Sequence, residues 1–179
     1  TGPHGPMRGA DIQAALRLPF LDAARGAVRT VTLPDGRAVQ LTIPAGTEGG
    51  TVLRLTGQGL PGEAGAPAGD LLAMVEVEPH RFLRREGDDI LLDLPVTLKE
   101  AVLGSKVEVP TISGPVALTI PAHAVDGQRL RLRGRGVKGG HQVVVLKVQL
   151  PAGPEPALEE FLKDWTPRDT RDPRAGMVA

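Results

Sequence analysis

The sequence contains no cysteine among its 179 residues. This absence excludes disulfide bonds, thiolate nucleophiles and every metal centre that depends on cysteine ligands. The histidines are too far apart along the chain to form a metal-binding motif such as HExxH. They are His4, His80, His123 and His141. We therefore expect neither a metal nor any other cofactor.

The chain is also poor in aromatic residues, with three Phe, one Trp and no Tyr. So few rings argue against a base-stacking surface like those of RNA-binding sheets. Lysine plus arginine equals aspartate plus glutamate at 21 each, so no net charge attracts nucleic acid or a membrane. No apolar run approaches the roughly 20 residues that span a bilayer, and no signal-peptide pattern opens the chain. Because catalytic motifs are missing too, we expect a soluble cytoplasmic protein that is not an enzyme and has no membrane partner.

One structural unit occurs twice in the sequence. Residues 41–60 and 118–137 share the motif LTIPA, a later LRL and three glycines at an offset of 77. Further upstream, residues 11–26 and 89–104 match at five positions with an offset of 78. Because the two offsets agree to within one residue, we infer a repeated unit of about 78 residues.

Each repeat is predicted to consist mostly of strands. Apolar and polar residues alternate in short runs, and a Pro-Asp-Gly triplet at 34–36 separates two runs as a tight hairpin turn. Residues 70–78 and 142–150 are longer and more apolar, which indicates central strands. Short helices are predicted at 20–26 and 97–104, each ending at a glycine suited to a C-cap.

The predicted fold class is mostly β, with two tandem homologous β-sandwich-like modules that each contain one short helix. A C-terminal amphipathic helix follows, with apolar residues at i, i+3, i+4 and i+7: Leu158, Phe161, Leu162 and Trp165. The predicted segments are a linker (1–8), the first module (9–79), the second module (80–151), the C-terminal helix (152–166) and a disordered tail (167–179).

The order of motifs resembles the C-terminal substrate-binding region of the DnaJ (J-domain) co-chaperones over about residues 9–165. The motifs are DAARG and KEAVLG, TIPAG followed by LRLTGQG, GDLLAMVEV, HRFLRREGDDI and LRLRGRGVKGG. The sequence lacks the His-Pro-Asp loop of a J domain. It also lacks the Cys-rich zinc module that some relatives insert where this chain has its Pro-Asp-Gly turn. The chain is therefore similar to the zinc-less class, and we expect it to be a fragment of a longer co-chaperone.

This resemblance implies that the chain captures extended apolar segments of unfolded client polypeptides. Strand addition is the physical means, since an unpaired sheet edge offers backbone groups to any sequence and apolar pockets receive alternate side chains. The strand at 28–33 falls where relatives place the peptide groove. The implied peptide-binding residues are Ile12, Val31, Leu33 and Phe82, and the alternative for each is an ordinary place in the core.

The resemblance implies two further partners. Zinc-less relatives place a basic residue beside the groove, where it holds the acidic C-terminal tail of a cytosolic seventy-kilodalton heat-shock chaperone. Arg29 falls at that position and Arg37 lies nearby, although both could equally be solvated surface residues. Relatives also form homodimers through their C-terminal ends, which assigns dimerisation to the apolar side of the C-terminal helix. The alternative is that this helix packs back on its own second module.

Two other classes of function stay open. Residues 128–140 concentrate basic side chains on one hairpin, so a nucleic-acid-binding module is one alternative. These side chains are Arg129, Arg131, Arg133, Arg135 and Lys138. The first repeat has only Arg54 at the matching positions, so the basic hairpin is not part of the shared fold. The other alternative is a purely structural scaffold, which would need no exposed apolar groove.

Overall fold

The computed structural model describes residues 5–179, so the first half of the predicted linker at 1–8, including His4, lies outside the described residues. The described chain is mostly β, as the sequence predicts. The elements of the first half are β1 (Ile12–Leu18), α1 (Phe20–Arg25), β2 (Ala27–Thr32), β3 (Ala38–Ile43), β4 (Val52–Leu55) and β5 (Leu71–Val77). Those of the second half are β6 (Leu83–Glu86), β7 (Asp89–Thr97), α2 (Leu98–Leu103), β8 (Ser105–Val109), β9 (Val116–Ile120), β10 (Arg129–Leu132), β11 (Gln142–Gln149) and α3 (Pro156–Asp164).

The strands form two similar modules, each with one larger and one smaller sheet. In the first module the larger sheet has the order β1-β5-β4, and β2 pairs with β3 in the smaller one. In the second module the larger sheet has the order β10-β11-β7-β6, and β8 pairs with β9. The pairs β1–β5 and β7–β11 are parallel, and the other pairs are antiparallel. The two tandem sandwich-like modules are therefore confirmed.

The most apolar strands occupy interior positions, as predicted. β5 lies between two neighbours, and its alternate residues Leu71, Ala73 and Val75 are completely buried. β11 likewise lies inside its sheet, with Val144 and Leu146 completely buried. A strand with neighbours on both sides can bury more apolar surface than an edge strand, so its sequence is more uniformly apolar.

Both short helices end at the predicted glycines but begin differently. Gly26 has φ 81°, and a Cβ atom there would lie 2.9 Å from the carbonyl oxygen of Ile43, so only glycine fits. Helix α2 begins with a capping box, in which Thr97 Oγ1 accepts from the Glu100 N–H and the Glu100 carboxylate accepts from the Thr97 N–H. Helix α1 follows Pro19 and has no side-chain cap.

Helix α1 links the two cores. Its Ala23 belongs to the core of the first module, whereas Ala24 and Phe20 pack against the core of the second. Arg85 adds a polar link by donating to the carbonyl oxygen of Gly46 at 2.7 Å. The segment between the modules also contributes Leu83, which is 2 % exposed. The junction between the modules is therefore packed.

Helix α3 extends beyond the second module and buries none of its residues. The side chains of Phe161, Leu162 and Trp165 are 61 %, 46 % and 51 % exposed. The alternative in which this helix packs back on its own module is therefore wrong, because nothing in the described chain covers its apolar side. Residues 167–179 contain no helix or strand and are exposed.

Candidate functional site

The smaller sheet of the first module has an unpaired strand edge. Leu33 N–H donates to the carbonyl oxygen of Arg37 at 2.8 Å, and antiparallel pairing alternates from there along β2 and β3. The backbone groups of Arg29 and Val31 consequently face β3. Those of Val28, Thr30 and Thr32 face away from it, and no hydrogen bond within the described chain reaches them. We call this row the β2 edge.

The opposite side of the same hairpin presents a matching row on β3. The outward residues there are Ala38, Gln40 and Thr42, which we call the β3 edge. Thr30 lies directly opposite Gln40 in the register. The two edges are therefore alike in length and exposure.

An apolar cluster lies beneath this hairpin. Three of its residues are buried: Ile12 on β1, Leu33 after β2 and Leu71 on β5. Ala14, Val31, Val39 and Leu55 pack against them and keep part of their surface exposed. A strand of six residues spans about 20 Å, so a peptide paired with the whole of β2 would extend over about this distance.

The structure brings together three of the four predicted peptide-binding residues. Ile12 is 8 % exposed and Leu33 is 2 % exposed, so both form the base of the cluster rather than its accessible surface. Val31 belongs to the same cluster and is partly exposed. The alternative of ordinary core packing thus describes Leu33 well, whereas Val31 keeps part of its surface exposed.

Phe82 does not join this cluster. Its ring is 52 % exposed and lies 6.1 Å from the ring of His80, which in turn lies 5.7 Å from the ring of Phe20. Arg81 lies over the face of Phe82, with its guanidinium carbon 5.1 Å from the ring centroid. Phe82 therefore stands near the start of α1, at the opposite end of β1 from Ile12.

Both arginines that the resemblance assigns to a partner's tail already have acidic neighbours. Arg29 forms an ion pair with Asp22 of α1. Arg37 forms one with Asp35 at 2.7 Å and donates to the carbonyl oxygen of Gly59 at 2.8 Å. The Arg37 backbone N–H and guanidinium hold the pKa of Asp35 below its ordinary value. Both side chains are 43 % exposed, so an incoming carboxylate would have to compete with the existing pairs.

The two modules share a loop anchor that the sequence analysis missed. In the first module, Asp70 donates its N–H to Asp11 at 2.7 Å and accepts the Gly57 N–H at 2.9 Å. In the second, His141 donates its N–H to Asp89 at 2.8 Å and accepts the Gly134 N–H at Nδ1 at 2.9 Å. The Gly57 N–H, followed by the Arg54 guanidinium, holds the pKa of Asp70 below its ordinary value. Because Asp70 and His141 are residues of different types, the sequence repeat did not reveal that they occupy equivalent positions.

The basic hairpin lies at the edge of the second module's larger sheet. β10 is a terminal strand, and Arg129 and Arg131 on it are exposed. Arg135 donates to the hydroxyl of Ser113 at 3.0 Å, and Lys138 lies beside Gly46 of the first module. All five basic side chains of the hairpin are therefore exposed, although Arg135 and Lys138 also contact other parts of the chain.

The described residues include no group of three His, Asp or Glu side chains placed to hold a metal ion. Among the helices that the structure describes for residues 5–179, none has the length and apolar character needed to cross a bilayer. A cavity of about 320 Å³ lies at the junction of the modules and is lined by Phe20, Ala23, Val77 and Arg85 among others.

Comparison with known proteins identifies the domain. The sequence model of the DnaJ C terminal domain matches residues 12–151. The chain is 38 % identical to a curved DNA-binding protein of Coxiella burnetii, over 96 % of this chain and 60 % of that protein. It is 42 % identical to chaperone protein DnaJ 2 of Mycolicibacterium paratuberculosis, over 79 % of this chain and 38 % of that protein. It is 41 % identical to chaperone protein DnaJ of Bacillus velezensis, over 72 % of this chain and 36 % of that protein.

These relatives are longer than the chain, which covers between 36 % and 60 % of their lengths. The family match spans both modules and ends before α3. It agrees with the resemblance carried by the ordered motifs and with the mostly β fold. The chain belongs to the DnaJ C-terminal domain family.

Proposed function

We propose that this chain binds extended apolar segments of unfolded polypeptides by adding them as a strand to the β2 edge. Family membership and DnaJ chaperone relatives support a chaperone-type role. The observation that carries the finer proposal is the position of the β2 edge. Its unpaired backbone groups run alongside an apolar cluster in which Val31 is partly exposed.

Backbone pairing and side-chain contacts would contribute to client binding in different ways. The β2 edge offers the N–H and C=O groups of three residues, which pair with any extended chain regardless of its sequence. Alternate side chains of the bound segment would point at the cluster, and removing their apolar surface from water would stabilise the complex. This combination suits a site that must accept many clients.

The test is a fluorescence-anisotropy titration with an extended apolar peptide. Thr30→Pro removes one N–H from the β2 edge, and proline is tolerated on edge strands. Gln40→Pro removes the equivalent N–H from the β3 edge, directly across the hairpin, and serves as the matched control. We expect Thr30→Pro to weaken binding about tenfold, as for one lost hydrogen bond plus local misfit. Gln40→Pro should bind like the wild type.

The salt dependence of binding distinguishes peptide capture from nucleic-acid binding. Apolar strand addition should change little between low and high salt, because few charges are neutralised. Equal loss in both proline variants, or no peptide binding by the wild type, would favour the scaffold alternative and sink the proposal.

The apolar side of α3 supports a second part of the proposal, a homodimer. Phe161 and Trp165 stack with ring centroids 6.2 Å apart and stay exposed, as do parts of Leu158 and Leu162. A second copy of the helix would cover this surface, and two weak client sites joined in one dimer would gain effective concentration. Sedimentation equilibrium should show self-association that Phe161→Ser weakens. A wild-type monomer throughout would contradict this part.

The acidic tail of a seventy-kilodalton heat-shock chaperone remains the proposed partner of Arg29 and Arg37. Its carboxylates would replace Asp22 and Asp35 as the acceptors of the two guanidiniums. A peptide with an acidic C-terminal sequence should bind the wild type more tightly than Arg29→Gln, with a strong dependence on salt. Binding that is indifferent to this substitution would exclude the site.

A second candidate function is DNA binding by β10. The exposed Arg129 and Arg131 favour it, as does the name of the Coxiella relative, a curved DNA-binding protein. If both arginines contact phosphates, their replacement by glutamine should lower the slope of log affinity against log salt by about 2. Arg84→Gln, an exposed arginine on β6, is the control. No measurable affinity for a DNA duplex at low salt would remove this candidate.

A further inference from the structure

The two modules differ at one sheet edge, although they repeat the same unit. In the second module β7 lies between β11 and β6. In the first, the equivalent strand β1 has β5 on one side and, among residues 5–179, no strand on the other. Within the part of the chain that the structure describes, the larger sheet of the first module therefore has one strand fewer than that of the second.

The sequence before β1 explains why that strand is missing. At the repeat offset of 78, Gly5 to Arg8 correspond to Leu83 to Glu86, which form β6. Pro6 stands at the place of Arg84 and has no N–H to donate to a ladder. The segment is held elsewhere, since the carbonyl oxygen of Met7 accepts from the Glu63 N–H at 3.0 Å.

This leaves a row of backbone groups unpaired along β1. Ile12 N–H donates to Asp70 on the β5 side, and the carbonyl oxygen of Leu18 accepts from Glu78 on that side. Because the direction alternates, the groups of Gln13, Ala15 and Arg17 face outward, and no hydrogen bond in the described chain reaches them. We call this row the β1 edge.

The other terminal strands of the larger sheets are less suited to pairing. β4, β6 and β10 have four residues each, and each exposes at least one arginine. Short, charged edges discourage association. β1 has seven residues and a single charged side chain, Arg17, which Glu76 on β5 neutralises at 3.5 Å.

We propose that β1 pairs antiparallel with β1 of a second copy of this chain, with the two-fold axis at Ala15. In that register each outward residue meets another outward residue, because Gln13 lies opposite Arg17 of the other copy and Ala15 opposite Ala15. Six backbone hydrogen bonds result. The proposal is independent of client capture at the β2 edge and of dimerisation through α3.

The side chains favour this occupant. On the inner face, Ile12 would lie opposite Leu18 and Ala14 opposite Leu16, so the apolar faces of the two sheets join without a polar interruption. On the outer face no like charges lie opposite each other, because Gln13 would lie opposite Arg17 and Ala15 opposite Ala15. An arbitrary client segment would satisfy the backbone equally well but would not match both faces of β1.

Cysteine cross-linking tests the register, because the chain has no cysteine of its own. Gln13, Ala15 and Arg17 are all exposed on one face, so Gln13→Cys and Ala15→Cys variants have comparable access to solvent. Across the proposed axis, two residues at position 15 have Cα atoms about 5.5 Å apart, within disulfide range, whereas two at position 13 are about 14 Å apart. All variants carry Phe161→Ser to remove contact through α3, with circular dichroism checking the fold.

The expected result is at least about tenfold more disulfide dimer from Ala15→Cys than from Gln13→Cys under mild oxidation. An equimolar mixture of Gln13→Cys and Arg17→Cys should give the heterodimer in preference to either homodimer. Equal cross-linking at positions 13 and 15 would indicate random collision and overturn the proposal. So would Ala15→Cys that links to a cysteine-bearing apolar peptide in preference to a second copy.

Discussion

Substitutions at Leu33 and Val31 should distinguish the contribution of the apolar cluster to stability from its contribution to peptide binding. Leu33 is 2 % exposed, so Leu33→Ala leaves a cavity and should lower the free energy of unfolding by about 3 kcal/mol. Val31 is only partly buried, so Val31→Ala should cost about 1 kcal/mol or less. Val31 also borders the proposed path of the peptide. Its truncation should weaken peptide binding about two- to fivefold, as for one partly lost apolar contact.

The assays are urea unfolding and peptide anisotropy, with Val39→Ala as the control. Val39 lies opposite Val31 in the register and belongs to the same cluster, but it stands on β3. It should show a similar stability cost and an unchanged peptide affinity. If both valine variants weaken binding equally, the peptide does not lie along β2. If neither does, the cluster is a core without a ligand, and the reasoning fails.

Two further predictions concern stability. Thr97→Ala breaks the capping box with Glu100 and should lower the free energy of unfolding in urea by about 1 kcal/mol. The control Thr119→Ala changes an exposed strand position and should have little effect on stability. Equal losses of stability in the two variants would show that the capping box does not stabilise the fold. Because the pKa of Asp70 is held below its ordinary value of 3.8, this carboxylate stabilises the fold above that value and loses its contribution as pH falls through the lower, folded-state value. Asp70→Asn should therefore show a flatter acid limb in a series of urea midpoints against pH, and an unchanged limb would assign acid sensitivity to other groups.

Local patterns predicted the antiparallel parts of the fold well. The Pro-Asp-Gly turn, the alternation along β4 and β10 and the helix-ending glycines act over a few residues, so a single sequence displays them. The parallel pairs were not predicted. Ile12 and Leu71 meet across 59 positions of chain, and no turn signature marks such a pairing. The sequence therefore did not predict that residues of β1 and β7 form strands, and only the structure shows it.

The sequence predicted some members of the apolar cluster but not which of them are accessible. The repeat and the family motifs placed the strand at 28–33 and the cluster with Ile12 and Leu33. Which of these residues stays accessible depends on how the smaller sheet covers the larger one, and this separates partly exposed Val31 from buried Leu33. Phe82 sits at the far end of β1 because its position depends on the packing of α1 at the junction.

Amide hydrogen exchange in the presence of an extended apolar peptide tests strand addition most directly. Without peptide, the outward amides of both hairpin edges should exchange quickly, since nothing in the described chain pairs with them. Saturation with peptide should slow exchange on the β2 edge, at Val28, Thr30 and Thr32. The β3 edge should stay fast at Ala38, Gln40 and Thr42. Slowed exchange on the β3 edge alone, or at neither edge while the peptide is bound, would contradict capture by strand addition at β2.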